Sequence, residues 1–291
     1  MRTPDEAFVG IPDYPFEARW HDWDGHRIHF VDEGSGPPVV LFHGEPTWSF
    51  LYRKVIPVLV DRGYRAIAPD YVGFGKSDKP TDPDWYTYDN HVATMASLLD
   101  HLDVTNATAV VQDWGGPIGL RLATEMSHRF DRLTIMNTGV STGRSKVSEG
   151  FMAWRTFVEN TPDLPIGFIM GRSAVTEWPA EVFAAYEAPF PDASYKVGAH
   201  RFPLIVPIAE DHTGANEMQA VADALTTWDK PTQVLFSTED PIFNTRVGER
   251  FVERIPGATA LELIENAGHF LQEDQGEVVA GRIADFLDRT T

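Results

Sequence analysis

The feature that most constrains the fold of this chain is a repeated alternation of short apolar, β-branched runs with helical stretches. The runs are "PPVVLFH", "RAIAPD", "ATAVVQD", "RLTIMN", "TQVLFS" and "ALELIE". Such runs predict buried strands, and strands that alternate with helices predict a mostly parallel central sheet flanked by helices. Ahead of them, "ARWHDWDGHRIHFVDEG" alternates around the turn dipeptide Asp24-Gly25 and predicts an antiparallel hairpin.

The alternation stops between about Gly139 and Thr227, where aromatic residues and prolines replace any clear strand. It resumes near Pro231. We therefore predict an α/β core with a helical cap inserted over the carboxyl ends of its strands, where sheets of this kind bind ligands. The predicted divisions are residues 1–138 for the first part of the core, 139–227 for the cap and 228–291 for the second part of the core.

Charge and composition exclude several classes of protein. The chain has 24 basic and 43 acidic residues, a net charge of −19, so we expect neither nucleic acid nor an anionic membrane as a partner. It has no cysteine, which excludes disulfides, thiol catalysis and thiolate metal sites. The start "MRTPDEAFVG" lacks the pattern of a secretion signal, and we predict a cytoplasmic protein. The sequence does not define the oligomeric state, for which a monomer is the favoured expectation.

The stretch "VVQDWGGPIGLRLA" (110–123) joins an apolar run to a helical pattern through a small-residue corner. Many hydrolases hold a nucleophilic serine at such a corner, within G-x-S-x-G, but here the corner residue is Asp113. Aspartate tolerates the positive φ of a tight corner, and the following helix N-terminus favours a carboxylate. Seen alone, Asp113 is equally well explained as a helix cap.

Two further segments favour the nucleophile. "LFHGEPTWS" is similar to the α/β-hydrolase loop that supplies a backbone N–H to an oxyanion hole, and the N–H of Trp114 would be the second donor. "IENAGHFLQED" provides His269 after the last strand, where this fold places its base. The fold class we predict is thus the α/β-hydrolase fold.

The base needs an orienting acid late in the chain, and "VLFSTEDPIF" offers Glu239 and Asp240 at a strand end. We predict Asp240 as the acid and a solvated Glu239. A position after the preceding strand is an alternative site for the acid, but residue 137 is asparagine. No metal-ligand set such as H-E-x-x-H occurs, and we expect no metal and no cofactor.

An aspartate nucleophile suits displacement at sp³ carbon. A carboxylate is ionised without a base, and it forms an alkyl ester that histidine-activated water hydrolyses. The substrates would be alkyl halides or epoxides. A halide leaving group suits aromatic N–H donors in a dry pocket, whereas an epoxide needs an acid.

Over essentially its whole length the chain resembles the haloalkane dehalogenases, in "HGEPTWS", "QDWGG", the cap "AW", "EDP" and "AGHF". The resemblance implies a small apolar halogenated alkane as substrate and a halide ion as product ligand. Two indoles and Phe151 around the leaving group would leave a small, closed, apolar pocket. The residues that the resemblance implies are Asp113, His269 and Asp240 as the triad, Glu45 and Trp114 as oxyanion donors, Trp114 and Trp154 as halide donors, and Phe151 and Pro203 as pocket lining.

Three other functions of the same fold remain open at this point. Epoxide hydrolases use cap tyrosines, for which Tyr186 and Tyr195 are candidates. Haloacetate dehalogenases pair the nucleophile with an arginine, and the residue here is Trp114. Ligand receptors of this fold often lose the histidine, which this chain keeps.

Overall fold

An eight-stranded sheet runs through the computed structural model, which describes residues 1–290. Its strands are β1 (Arg19–Trp23), β2 (His26–Glu33), β3 (Pro38–Phe42), β4 (Arg65–Pro69), β5 (Ala107–Gln112), β6 (Phe130–Met136), β7 (Thr232–Ser237) and β8 (Glu262–Ile264). They lie in the order β1-β2-β4-β3-β5-β6-β7-β8. Strands β3 to β8 are parallel, and β2 is antiparallel to both of its neighbours, β1 and β4. Each run interpreted as a strand is a strand, and the mostly parallel sheet is confirmed.

The predicted hairpin is also present. β1 and β2 pair antiparallel, with Trp23 opposite His26 at the closed end. Asp24 has φ 47° and Gly25 has φ 78°, the left-handed backbone that a two-residue hairpin turn requires.

Helices fill the connections between the parallel strands. They are α1 (Ile56–Asp61), α2 (Tyr88–His101), α3 (Gly115–Glu125), α4 (Glu149–Glu159), α5 (Ile166–Arg172), α6 (Ala180–Glu187), α7 (Val197–Arg201), α8 (Ala215–Leu225), α9 (Thr245–Arg254), α10 (Leu271–Asp274) and α11 (Gly276–Thr290). Between β6 and β7 the described chain contains only helical elements, α4 to α8 and a 3₁₀ turn at Ala193–Lys196. The exact division into core and cap remains a prediction.

The strand order determines where a ligand site can form. From β3 the chain moves through α1 to β4 on one side, and it later returns to β5 on the other side. Because parallel crossovers are right-handed, α1 lies on one face of the sheet and α2 and α3 on the opposite face. The loops that leave β3 and β5 therefore diverge, which opens a crevice at the carboxyl ends of these strands. None of the helices in residues 1–290 is long and apolar enough to cross a membrane.

A buried ion pair within the core, between Arg53 and Glu273, also binds a tyrosine of the helical insertion. Glu273 of α10 accepts hydrogen bonds from both terminal nitrogens of Arg53 and from the hydroxyl of Tyr186 on α6. The side chains of Arg53 and Glu273 are each 2% exposed. Their mutual neutralisation is what permits two charges at this depth.

Removing one charge of this pair should destabilise the protein strongly. We expect Glu273→Gln to lower the free energy of unfolding by about 3–5 kcal/mol, because it leaves the Arg53 guanidinium buried without a counter-charge. The matched control is Asp288→Asn, which breaks an Arg62–Asp288 pair whose side chains are 43% and 44% exposed. Its effect should be under about 1 kcal/mol. Equal midpoints for the two variants in urea unfolding would contradict this expectation.

Candidate active site

The corner after β5 places Asp113 at the crevice with a strained backbone. Its φ is 50°, in the left-handed region that few non-glycine residues adopt. Close packing holds the corner, since a Cβ added at Gly44 would lie 2.4 Å from the Asp113 Cβ and one at Gly115 would lie 2.2 Å from the Phe42 carbonyl oxygen. The carboxylate thus projects from the start of α3 into the crevice.

One oxygen of this carboxylate is held by the loop after β3. The backbone N–H of Glu45 donates to Asp113 Oδ1 at 2.8 Å. His43 fixes that loop, because its Nε2 accepts from the Tyr71 N–H at 3.1 Å and its Nδ1 lies 2.7 Å from the Gly44 carbonyl oxygen. The predicted Glu45 donor is therefore directed at the predicted nucleophile.

The side chain of Glu45 is a separate feature of the site. It lines the cavity at Asp113, and its Oε1 is buried with no hydrogen-bond partner among residues 1–290. Burial, reinforced by the nearby Asp113 carboxylate, raises the pKa of Glu45 well above its ordinary value. The neutral form of this carboxyl is therefore favoured more than in an exposed glutamate.

The second oxygen of Asp113 faces the predicted base. Oδ2 lies 3.5 Å from His269 Nε2, and the opposite nitrogen, Nδ1, donates to Asp240 Oδ2 at 2.9 Å. The other oxygen of Asp240 accepts backbone hydrogen bonds from residues 242 and 243 at 2.7 and 3.0 Å, which fixes the carboxylate. Asp240 is buried, and Glu239 is exposed, which agrees with the expectation that Glu239 is solvated.

The two carboxylates control the charge of His269. Burial by itself would lower the pKa of the imidazole, but Asp240 and then Asp113 outweigh burial and raise that pKa to about 10. The resting imidazole is thus protonated at neutral pH. Because Asp113 is one of the two causes, any reaction that neutralises Asp113 must lower the pKa of His269.

Two indoles line the cavity that contains Asp113, one from the core and one from the helical insertion. Trp114, 6% exposed, follows the corner directly, and Trp154 projects from α4; neither indole N–H has a hydrogen-bond partner among residues 1–290. Arg155 ties α4 to the segment carrying Pro203, since its Nη1 donates to the Pro203 carbonyl oxygen at 3.0 Å. Phe151, one turn before Trp154, lines the same cavity, as Pro203 does.

The cavity differs from the small, closed, apolar pocket that we expected. Its volume is about 890 Å³, and its wall continues from Asp113 to exposed residues of α9 such as Arg250. The expectation considered only the aromatic residues near the nucleophile, which form one end of a longer space. Tyr186 and Tyr195, the candidate acids for an epoxide hydrolase, are absent from the lining residues.

Comparison with known proteins decides among the functions left open. Residues 37–275 match the family model of the α/β hydrolase fold. The chain is 45% identical over 297 residues to a haloalkane dehalogenase of Psychrobacter cryohalolentis, covering 99% of this chain and 97% of that protein. It is 43% identical to one from Mycobacterium marinum, covering 97% and 98% of the two chains.

A solved structure agrees with these relatives. The tetrameric haloalkane dehalogenase of Paraglaciecola agarilytica superposes with a TM-score of 0.92 at 34% identity, covering 97% of this chain and 96% of that one. The chain belongs to the haloalkane dehalogenase family. Its activity is the hydrolytic dehalogenation of haloalkanes on an α/β-hydrolase fold, as the sequence analysis predicted.

Two residues of this dehalogenase site were missed by the sequence analysis. Asn137, after β6, donates from Nδ2 to the carbonyl oxygens of Gly268 and His269 at 3.0 and 3.1 Å. Gln112, directly before the corner, donates to the same His269 carbonyl oxygen at 3.2 Å. Their positions at the carboxyl ends of adjacent parallel strands were the available signal, because these ends converge on the histidine loop.

The charge coupling around His269 is measurable. We expect NMR titration of its imidazole to give a pKa near 10 in the wild-type chain and a lower pKa in Asp113→Asn, which removes one of the two raising charges. Glu239→Gln, which removes an exposed charge beside Asp240, is the control and should leave the pKa unchanged. An unchanged pKa in Asp113→Asn would show that Asp113 does not influence the imidazole.

The same pKa shift has a consequence for stability. Since the pKa of folded His269 lies above the ordinary value near 6.5, its ion pairing stabilises the fold fully below about pH 6.5 and is lost as the pH rises through about 10. The difference in unfolding free energy between the wild type and His269→Gln should therefore shrink over this interval. A difference that stays constant from pH 6 to 10 would contradict the raised pKa.

Proposed function

We propose that this chain converts haloalkanes to a primary alcohol, a halide ion and a proton through a covalent ester on Asp113. The observation that carries the proposal is a carboxylate at a corner with φ 50°, one oxygen held by an N–H and the other 3.5 Å from a histidine. A serine nucleophile would need the histidine to remove its proton, whereas a carboxylate attacks without help.

In the first step, Asp113 Oδ2 attacks the halogenated carbon and the halide leaves. Oδ1 is the oxygen fixed by the Glu45 N–H at 2.8 Å, and it becomes the carbonyl oxygen of the ester. Oδ2 carries no backbone hydrogen bond within residues 1–290 and is the freer nucleophile. The indole N–H groups of Trp114 and Trp154, both on the cavity wall, stabilise the departing halide.

In the second step, water attacks the ester carbonyl. Ester formation removes the charge of Asp113, so the pKa of His269 falls and the imidazole releases its proton. The neutral imidazole then activates the water, with Asp240 orienting Nδ1 at 2.9 Å. The N–H groups of Glu45 and Trp114 stabilise the oxyanion before Asp113 and the alcohol separate.

Replacing the base should separate the two steps. With 1-bromobutane, His269→Gln should release bromide in a stoichiometric burst and then stop, because displacement needs no base and hydrolysis does. Intact-protein mass should rise by one butyl group in place of a proton, and peptide mapping should locate that group on Asp113.

The control for this experiment is Asp113→Asn, which removes the nucleophile and should show neither burst nor adduct. Glu239 is exposed beside the orienting acid and lies outside the site, so Glu239→Gln should retain turnover. Full turnover without an adduct in His269→Gln would refute both the covalent ester and the role given to the histidine.

The halide role of Trp154 has its own test. Trp154→Phe keeps an aromatic ring and removes one N–H donor, so we expect kcat to fall by about 10²–10³. Bromide should quench wild-type tryptophan fluorescence saturably, and more weakly in this variant. Trp228→Phe, in a buried tryptophan outside the cavity wall, is the control. Wild-type kcat and quenching in Trp154→Phe would make that indole a packing residue only.

Two further properties of the chain are its oligomeric state and its cellular location. The solved relative from Paraglaciecola agarilytica is described as tetrameric, so the expected monomer has no support from that relative, and we propose self-association instead. Light scattering on the purified chain measures the mass directly. The cytoplasmic location stays a prediction from the sequence.

A further inference from the structure

The cavity at Asp113 continues into a groove between α8 and α9. Met218 and Leu225 line it from α8, and Phe251 and Ile255 line it from the side of α9. All four side chains are at most 9% exposed. The groove therefore has an apolar floor that is continuous with the reacting centre.

The same groove carries a row of arginines along α9. Arg246, Arg250 and Arg254 recur at intervals of four residues, which places them on one helix face about 6 Å apart along the axis. All three are exposed, line the cavity, and form no ion pair with any of residues 1–290. Some exposed arginines elsewhere do find partners, since Arg62 pairs with Asp285 and Asp288, whereas Arg172 and Arg289 form no ion pair with residues 1–290.

The charge of this wall is opposite to that of the chain. The basic residues that line the cavity are Arg144, Lys146, Arg246, Arg250 and Arg254. The acidic ones are Glu45 and Asp113, both at the catalytic end. Arg144 is paired with Glu210, but the three guanidinium groups of α9 are unpaired. In a chain with 43 acidic and 24 basic residues, these three groups beside an apolar floor are complementary to an anion carried on an alkyl chain.

We propose that this groove binds the distal carboxylate of ω-haloalkanoates, with the alkyl chain on the apolar floor and the halogenated carbon at Asp113. The inference rests on the displacement proposed above. Asp113 forms the alkyl ester and expels the halide, and water hydrolyses the ester to an ω-hydroxyalkanoate, so that each turnover yields one halide and one proton. A carboxylate adjacent to the halogen would instead lie at the catalytic end, where the cation of His269 is already paired with Asp113 and Asp240, so short haloacids are excluded.

Binding can be tested without turnover. Calorimetry should show octanoate and decanoate binding more tightly than octanol and decanol. In Arg250→Gln the ratio of acid to alcohol affinity should fall roughly threefold to fivefold, the effect of one exposed ion pair, and further when Arg246 and Arg254 are also replaced by Gln. Arg289→Gln makes the same charge change at an exposed site on α11 and should leave the ratio unchanged. The proposal would be overturned if the acids bound no better than the alcohols. It would also be overturned if Arg289→Gln lowered the ratio of acid to alcohol affinity as much as Arg250→Gln does.

Turnover separates this inference from the proposed function. The ratio of kcat/KM for 10-bromodecanoate to that for 1-bromobutane should fall in Arg250→Gln and stay constant in Arg289→Gln. If 1-bromobutane releases bromide but the ratio of kcat/KM values is the same in Arg250→Gln as in the wild type, the groove assignment is wrong and the proposed function stands. If 1-bromobutane is not dehalogenated although decanoate binding depends on Arg250, the proposed function is wrong and the groove assignment stands.

Discussion

The close packing of the corner between β5 and α3 is the constraint on which the rest of the site depends. Gly44, Gly115 and Gly116 leave no room for a side chain, since a Cβ at position 116 would lie 1.8 Å from Thr138 Oγ1. This packing brings the ends of three neighbouring strands together. It also holds Asp113 at a positive φ, with its carboxylate within reach of the Glu45 N–H.

Most of the fold could be predicted from the sequence because its signals are local. The buried strands are short apolar runs, and the hairpin depends on two adjacent residues, Asp24 and Gly25, that take left-handed backbone. The order of the strands was not predicted, because right-handed crossovers fix the face on which each helix lies and leave several strand orders open. The helical insertion was recognisable because nothing within it resembles a strand.

The candidate site was predictable at residues whose side chains can act as a nucleophile, a base or an orienting acid, as with Asp113, His269 and Asp240. Asn137 and Gln112 were missed because a side-chain amide neither attacks the substrate nor transfers a proton in this reaction. Their function depends on a loop that follows them by more than a hundred residues. The extent of the cavity was missed for a related reason, since it depends on how α8 and α9 pack and not on the residues beside the nucleophile.

Asn137 also limits how the triad of this protein can change in evolution. Position 137 follows the strand next to the nucleophile and was the alternative site for the acid. Here its Nδ2 donates to two carbonyl oxygens of the histidine loop, while its Oδ1 accepts the Ser237 N–H at 2.9 Å. An aspartate at this position could still accept the Ser237 N–H, but it has no N–H to donate. Its second oxygen would lie against the two carbonyl oxygens of the histidine loop and be repelled by them. Placing the acid at this strand end would therefore remove both hydrogen bonds that Asn137 donates to the histidine loop, so the position of the acid and the support of that loop are coupled.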